Sequence, residues 1–180
     1  LLRIGKKENR IITVYTGVDY NYFNPKKYDG GKIRKKYALQ KSYVVLVYGR
    51  PGPSKGIEYA ITAMKEIYAA IPKAKMLLLL SRDKQYMKKY SLLLQLIKEL
   101  RLEDKIINVP PVPHSELPDY IMAADCVVVP SLAEGFGYTA AEAAATAAEQ
   151  AAAELPTPAK EEPKPETPPA EPTPSATSLL

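Results

Sequence analysis

Two cations and two carboxylates stand where short glycine-bearing loops feed helical patterns. In "YGRPGPSKG", residues 48–56, Arg50 and Lys55 flank a run of glycine and proline. In "PSLAEGFGYTAAEA", residues 130–143, Glu134 lies in a loop and Glu142 lies about one turn into the helix that starts near Tyr138. A guanidinium fork, a point-charge ammonium and the unpaired N–H groups of a helix start all favour a diphosphate. Gly135 and Gly137 let a backbone approach a ligand closely. Carboxylates repel phosphate but accept hydrogen bonds from vicinal hydroxyls. The four side chains together therefore suit a diphosphate set between polyhydroxylated rings, which describes a nucleotide sugar. The plainer alternative is a pair of solvated loops with ordinary surface charges. The first loop is neither a P-loop nor a dinucleotide fingerprint, because it lacks the GxxxxGK[ST] and GxGxxG spacings.

Such loops need elements to hold them. The runs "RIITVYT", "SYVVLVYG", "AKMLLLLS", "KIINVP" and "DCVVVPS" are strand-length, aliphatic and not strictly alternating, as in strands covered on both faces of a parallel sheet. Helical patterns lie between them. Residues 56–70 put Ile57, Ala60, Ile61, Met64 and Ile67 at helical spacing, and residues 83–101 do the same with Leu92, Leu93, Leu96, Ile97 and Leu100. "HSELPDYIMAA" reads as a shorter helix capped by Ser115. Alternation of this kind predicts an α/β fold, a doubly wound, mostly parallel, Rossmann-like sheet. Its ligands sit at the carboxyl ends of the strands.

The boundary of the folded part is set at 1–150. Residues 151–180 hold eight of the 17 prolines with alanine and glutamate and no aromatic residue, so a disordered tail is expected there. The alanine run before it favours helix, which should reach about Glu154 before Pro156 stops it. The formal charge is +5, and much of the excess is early, in "NPKKYDGGKIRKKYALQK". That favours anionic partners, with contact to an anionic membrane preferred over nucleic acid, since no groove-reading or stacking motif accompanies it. One cysteine, Cys126, excludes an internal disulfide and fits a reducing, cytoplasmic setting; "AADCVVVP" places it in a core strand. No run is long enough to span a bilayer. One histidine and one cysteine give no metal-ligand spacing, so no metal site is expected. His114 is expected near a helix start and not at a catalytic centre.

Three segments in order resemble glycosyltransferase family 4, retaining enzymes of the GT-B fold, over most of residues 10–145. "VYTGVDYNYFNP" is similar to the family's N-G-V-D and F-x-P segment, with Thr16 where asparagine is common. "YGRPGPSKGIEYAITAM" resembles its G-R-x-x-x-x-K-G loop and following helix. "VPHSELPDYIMAADCVVVPSLAEGFGYTAAEA" resembles its E-G-F-G segment, in which Glu134 and Glu142 make the E-x7-E pair.

The resemblance implies the C-terminal, donor-binding domain of such an enzyme, taking a UDP-, GDP- or ADP-sugar and no cofactor or metal. Arg50 and Lys55 then bind the diphosphate and stabilise it as it departs. Glu142 bonds the ribose hydroxyls, and Glu134 lies close to the hydroxyls of the transferred sugar. Gly135, Phe136 and Gly137, with the first helical residues Tyr138 and Thr139, line the sugar and phosphate side. Pro111 and Val112 fall in the region that meets the base, with proline where the family usually has glycine. The family's helix after the second glutamate leads to a further strand that has no counterpart here, and its acceptor domain is also missing. The expectation is therefore a fragment, inactive alone, whose acceptor is a glycan or lipid held by another domain. A non-catalytic nucleotide-sugar-binding or scaffold module is the alternative.

Overall fold

A computed structural model describes residues 16–154, with side chains as far as residue 146. Four strands form one sheet: β1 (Tyr43–Gly49), β2 (Ala74–Leu80), β3 (Ile106–Val109) and β4 (Cys126–Val127), in the order β3-β2-β1-β4. Every pairing is parallel, with Val45 opposite Met76 on one side and opposite Cys126 on the other. Five helices accompany them: α1 (Gly30–Lys36), α2 (Ile57–Ala70), α3 (Met87–Glu99), α4 (Leu117–Ala123) and α5 (Tyr138–Glu154). This is the doubly wound α/β architecture expected from the alternation of apolar runs and helical patterns.

Two apolar layers explain why the strands read as continuous hydrophobic runs. Successive strand side chains face opposite ways. Val45 and Val47 of β1, with Met76, Leu78 and Leu80 of β2, pack against Ile57, Ile61 and Met64 of α2 and Leu93 and Ile97 of α3. Val44, Leu46 and Tyr48, with Leu77 and Leu79, pack against Ile33 of α1, Leu117, Tyr120 and Ile121 of α4, and Ala145 of α5. Each fully buried leucine or isoleucine in these layers contributes about 1.5–3 kcal/mol. Of the side chains expected to face inward from α3, Leu92 is instead exposed, while Tyr90, three residues before Leu93, is buried. The helix begins at Met87, after a 3-10 turn over Lys84–Tyr86, and that sets which stripe meets the sheet.

Helix α1 is bound to the sheet edge through Asp125. Its carboxylate accepts from the Val44 N–H at 2.6 Å and pairs with Arg34 at 2.7 Å. Gly30 lies against the α4 backbone, where a Cβ would meet the Met122 carbonyl carbon at 2.3 Å.

Three expectations need correction. The strand expected to run through Val129 is only Cys126–Val127, and Cys126 is exposed, not a core residue. Among the described residues no strand pairs with the outer edge of β4. Ser115 is not an N-cap: it lies inside a 3-10 turn, His114–Glu116, and α4 starts after Glu116 with no side-chain cap and Pro118 in its first turn. Helix α5 reaches Glu154, as the alanine run led one to expect, four residues past the boundary set at 150. The expected disorder beyond it, and all but the last residue of the expected strand "RIITVYT", lie outside the described residues.

Candidate functional site

The loop after β1 and the loop after β4 meet at backbone level. Gly56 has φ 59°, a left-handed conformation, and a Cβ on it would meet the Pro130 carbonyl oxygen at 2.1 Å. Only glycine lets the start of α2 come so close to the chain leaving β4. The Leu132 N–H donates to the Ser54 carbonyl at 2.8 Å and closes the junction. Side chains reinforce it: Glu134 Oε1 is 2.6 Å from Lys55 Nζ and accepts from Ser131 Oγ at 2.6 Å. Both bonds favour the ionised carboxylate, so Lys55 first and Ser131 second hold Glu134 below the usual range of a glutamate.

The junction forms the floor of a cavity of about 530 Å³ at the carboxyl ends of the strands. Arg50, Lys55, Glu134, Gly135, Phe136, Gly137, Tyr138, Thr139 and Glu142 all line it. These nine residues are thus brought to one place, while Pro111 and Val112 lie in an adjoining cavity. Gly137, at φ 83°, turns the chain into α5, whose first hydrogen bond runs from the Ala141 N–H to its carbonyl at 3.0 Å. The free N–H groups of that first turn give the cavity the positive end of a helix. Arg50 is exposed and lines this cavity and an adjoining one of about 480 Å³, which runs on past Ser81, Arg82 and Asp83 to Pro111 and Val112. One end therefore offers cations and helix N–H groups, and a second chamber opens beyond them.

Glu142 is the more enclosed carboxylate, with 15% of its side chain exposed. Tyr48 Oη donates toward Glu142 Oε2 at 3.2 Å and toward the Thr139 carbonyl at 2.8 Å. His114 Nε2 lies 3.6 Å from the other oxygen, Oε1. Burial, and then the Glu142 carboxylate, push the ionisation of Tyr48 well above that of an ordinary tyrosine, so its hydroxyl keeps its proton. Sequence reasoning missed Tyr48, whose only signal is a polar tip on the penultimate residue of a buried strand. It placed His114 correctly before a helix but away from the site. The imidazole in fact borders both cavities and stacks on Tyr22, with ring centres 5.5 Å apart and planes at 12°. That stack brings the "GVDYNYF" segment to the rim of the site, and the Tyr22 hydroxyl donates to the His114 carbonyl at 3.0 Å. Among the described residues no cluster of three or more His, Cys, Asp or Glu side chains is placed to hold a metal ion. No described helix is long and apolar enough to cross a membrane.

A cavity at the carboxyl ends of a parallel sheet lies where α/β domains of this kind bind their ligands. The sequence profile of the family described as "Glycosyl transferases group 1" matches residues 29–148, and the chain belongs to that family. It is 32% identical over 151 residues to D-inositol 3-phosphate glycosyltransferase 1 of Catenulispora acidiphila, covering 78% of this chain and 34% of that protein. The chain spans about a third of the length of the curated relatives it matches. Its fold is similar to the C-terminal domain of the glycosyl transferase group 1 family protein LpcC from Francisella tularensis. That match has a TM-score of 0.59 and 26% identity, and covers 72% of this chain and 67% of that one. Anabaena HepE in complex with UDP-glucose is similar over 81% of this chain and 39% of its own, with a TM-score of 0.60 and 25% identity. These neighbours are GT-B glycosyltransferases.

Proposed function

We propose that this chain is the donor-binding domain of a retaining glycosyltransferase of family 4, and that it holds a nucleoside-diphosphate sugar in the cavity between the β1 and β4 loops. The observation that carries the reading is the convergence of Arg50, Lys55, the first turn of α5 and the two glutamates on one cavity. Similarity to a protein solved with UDP-glucose supports it. The diphosphate lies against Arg50, Lys55 and the N–H groups of Gly137, Tyr138 and Thr139. The ribose hydroxyls bond to Glu142, and the base enters the second chamber, near Pro111 and Val112. The sugar lies by Glu134 and the backbone of Gly135 and Phe136.

The charges account for the chemistry. Transfer breaks the bond between the anomeric carbon and the diphosphate oxygen. It forms a bond from that carbon, on the same face, to an acceptor hydroxyl, whose proton passes to the departing diphosphate oxygen. Negative charge grows on the leaving diphosphate as the bond breaks, and fixed cations stabilise that state more than the ground state. Arg50 and Lys55 fill the role a divalent metal plays elsewhere. Glu134, ionised through its bonds to Lys55 and Ser131, stands ready to accept from sugar hydroxyls. Phosphate must compete with Glu134 for Lys55, so donor binding draws the ammonium off the carboxylate and frees that carboxylate for the sugar. The acceptor, a glycan or lipid, comes from a second domain, and without it the chain binds donor but does not transfer.

Titration calorimetry of the chain with UDP, GDP and ADP, with and without a chelator, tests this reading. At least one nucleotide should bind, indifferent to chelator, and Arg50→Ala and Lys55→Ala should each weaken it by about 1.5–3 kcal/mol. No binding, or binding abolished by chelator, overturns the proposal.

A further inference from the structure

Tyr48 is the one polar residue on the apolar face that β1 turns toward α1, α4 and α5. Val44 and Leu46 precede it on that face, and all three are buried in the same layer, Tyr48 with 8% exposure. An aliphatic side chain would fill this position. Tyrosine brings a hydroxyl into the layer, and burying a hydroxyl costs free energy unless it is bonded. Here both acceptors belong to the site: the carbonyl of Thr139, in the first turn of α5, at 2.8 Å, and Glu142 Oε2 at 3.2 Å. The phenol also stands on a rigid support. Tyr48 is paired in register with Leu79 of β2, and two residues earlier Leu46 is paired with β2 and β4 together.

We infer that Tyr48 is a positioning residue for Glu142, fixing its carboxylate so that one oxygen is held and the other is presented to the hydroxyls of the donor's ribose. The inference rests on the reading of Glu142 as the ribose-binding group. A glutamate in the second turn of a helix has three side-chain torsions to restrain before its free oxygen can meet a ribose hydroxyl. Tyr48 shares its single proton between the Thr139 carbonyl and Oε2 and so restrains Oε2, while His114 Nε2, at 3.6 Å from Oε1, is too far for a hydrogen bond and leaves that oxygen available. Like any tyrosine, Tyr48 is protonated across the whole neutral range, and burial only raises its ionisation further, so its hydroxyl acts as a donor. Restraint imposed before binding lowers the ordering cost of the complex. The same hydroxyl bonds the α5 backbone, so the carboxylate and the helix start that meets the diphosphate are registered to one atom of β1.

The test compares Kd values for UDP, GDP and ADP with those for their 2′-deoxy counterparts, using the unaltered chain, Tyr48→Phe, Glu142→Ala and the double variant. The ratio of the two constants reports how well the ribose hydroxyl is read, whatever the base. Glu142→Ala should remove the ribose preference. Tyr48→Phe, which keeps the ring and its packing, should narrow it by about threefold to tenfold while the 2′-deoxy constant stays within about twofold. In the double variant Tyr48→Phe should add nothing. A role confined to packing predicts equal weakening of ribose and deoxyribose forms, and that result, or an unchanged preference in Tyr48→Phe, overturns the inference while leaving the donor reading intact. A chain that prefers ribose no more than Glu142→Ala does overturns the reading of Glu142, and this inference with it.

Discussion

Replacing Gly56 with alanine tests the junction on which the site is built. Two costs add. The residue holds φ 59°, and a side chain in the left-handed region costs about 1–2 kcal/mol. The new Cβ would lie 2.1 Å from the Pro130 carbonyl oxygen and 3.2 Å from its carbon. That neighbour is backbone and cannot swing aside, so either α2 or the loop after β4 must move, an overpacking cost of about 1–3 kcal/mol. The sum, about 2–5 kcal/mol, is a large share of the ~5–15 kcal/mol that stabilises a typical domain. With an unfolding slope of about 1–3 kcal/mol/M, the urea midpoint should fall by about 1 M or more. Nucleotide binding should fall with it, because movement there separates Lys55 from Glu134 and parts the Leu132–Ser54 hydrogen bond. Gly137→Ala is the internal control. Its φ is 83° but no atom lies within 4 Å of a Cβ there, so only the conformational cost of about 1–2 kcal/mol applies. Gly135→Ala, also with open space around it, should unfold close to the parent. A Gly56→Ala chain within about 0.5 kcal/mol of the parent, or one more stable than Gly137→Ala, would refute the argument from close approach.

Two further outcomes follow from the same geometry. The Glu134 carboxyl is held below the ordinary glutamate value of 4.5 by Lys55 and Ser131, so its contribution is complete above that value and is lost as pH falls through its own depressed one. Glu134→Gln should therefore lie closest to the parent in stability at the acid end, and a urea-midpoint difference that is the same at pH 3 and pH 6 would contradict the assignment. Asp125→Ala strands the Val44 N–H and removes the ion-pair partner of Arg34, which keeps its bond to the Ser42 carbonyl, so it should destabilise the chain by about 1–3 kcal/mol in urea melts, whereas Arg34→Ala, which leaves the Val44 bond, should cost less.

The sequence by itself determined the parallel, doubly covered sheet and placed Arg50, Lys55, Glu134 and Glu142 after its strands, though not Tyr48 or His114 beside them. "YVVLVYG" and "AKMLLLL" are continuous rather than alternating because both of their faces are buried, and that is a local property of the chain. Arg50, Lys55 and Glu134 were legible because each lies beside a loop glycine at a strand-to-helix turn, where a ligand-facing backbone needs small residues, and Glu142 because it lies about one turn into the helix that follows. What the tertiary structure decided is how distant segments restrain one another. That Lys55 spends its charge on Glu134, 79 residues away, depends on Gly56 docking against Pro130. That a strand tyrosine reaches a helix glutamate 94 residues on depends on β1 facing α5. Cys126, apolar by its neighbours, is exposed because β4 lies at the edge of the described sheet, and edge position is set by strand order, not by composition. Periodicity reports which face of an element is buried; the partner across that face is fixed only when the sheet assembles and brings residues far apart in sequence within hydrogen-bond reach.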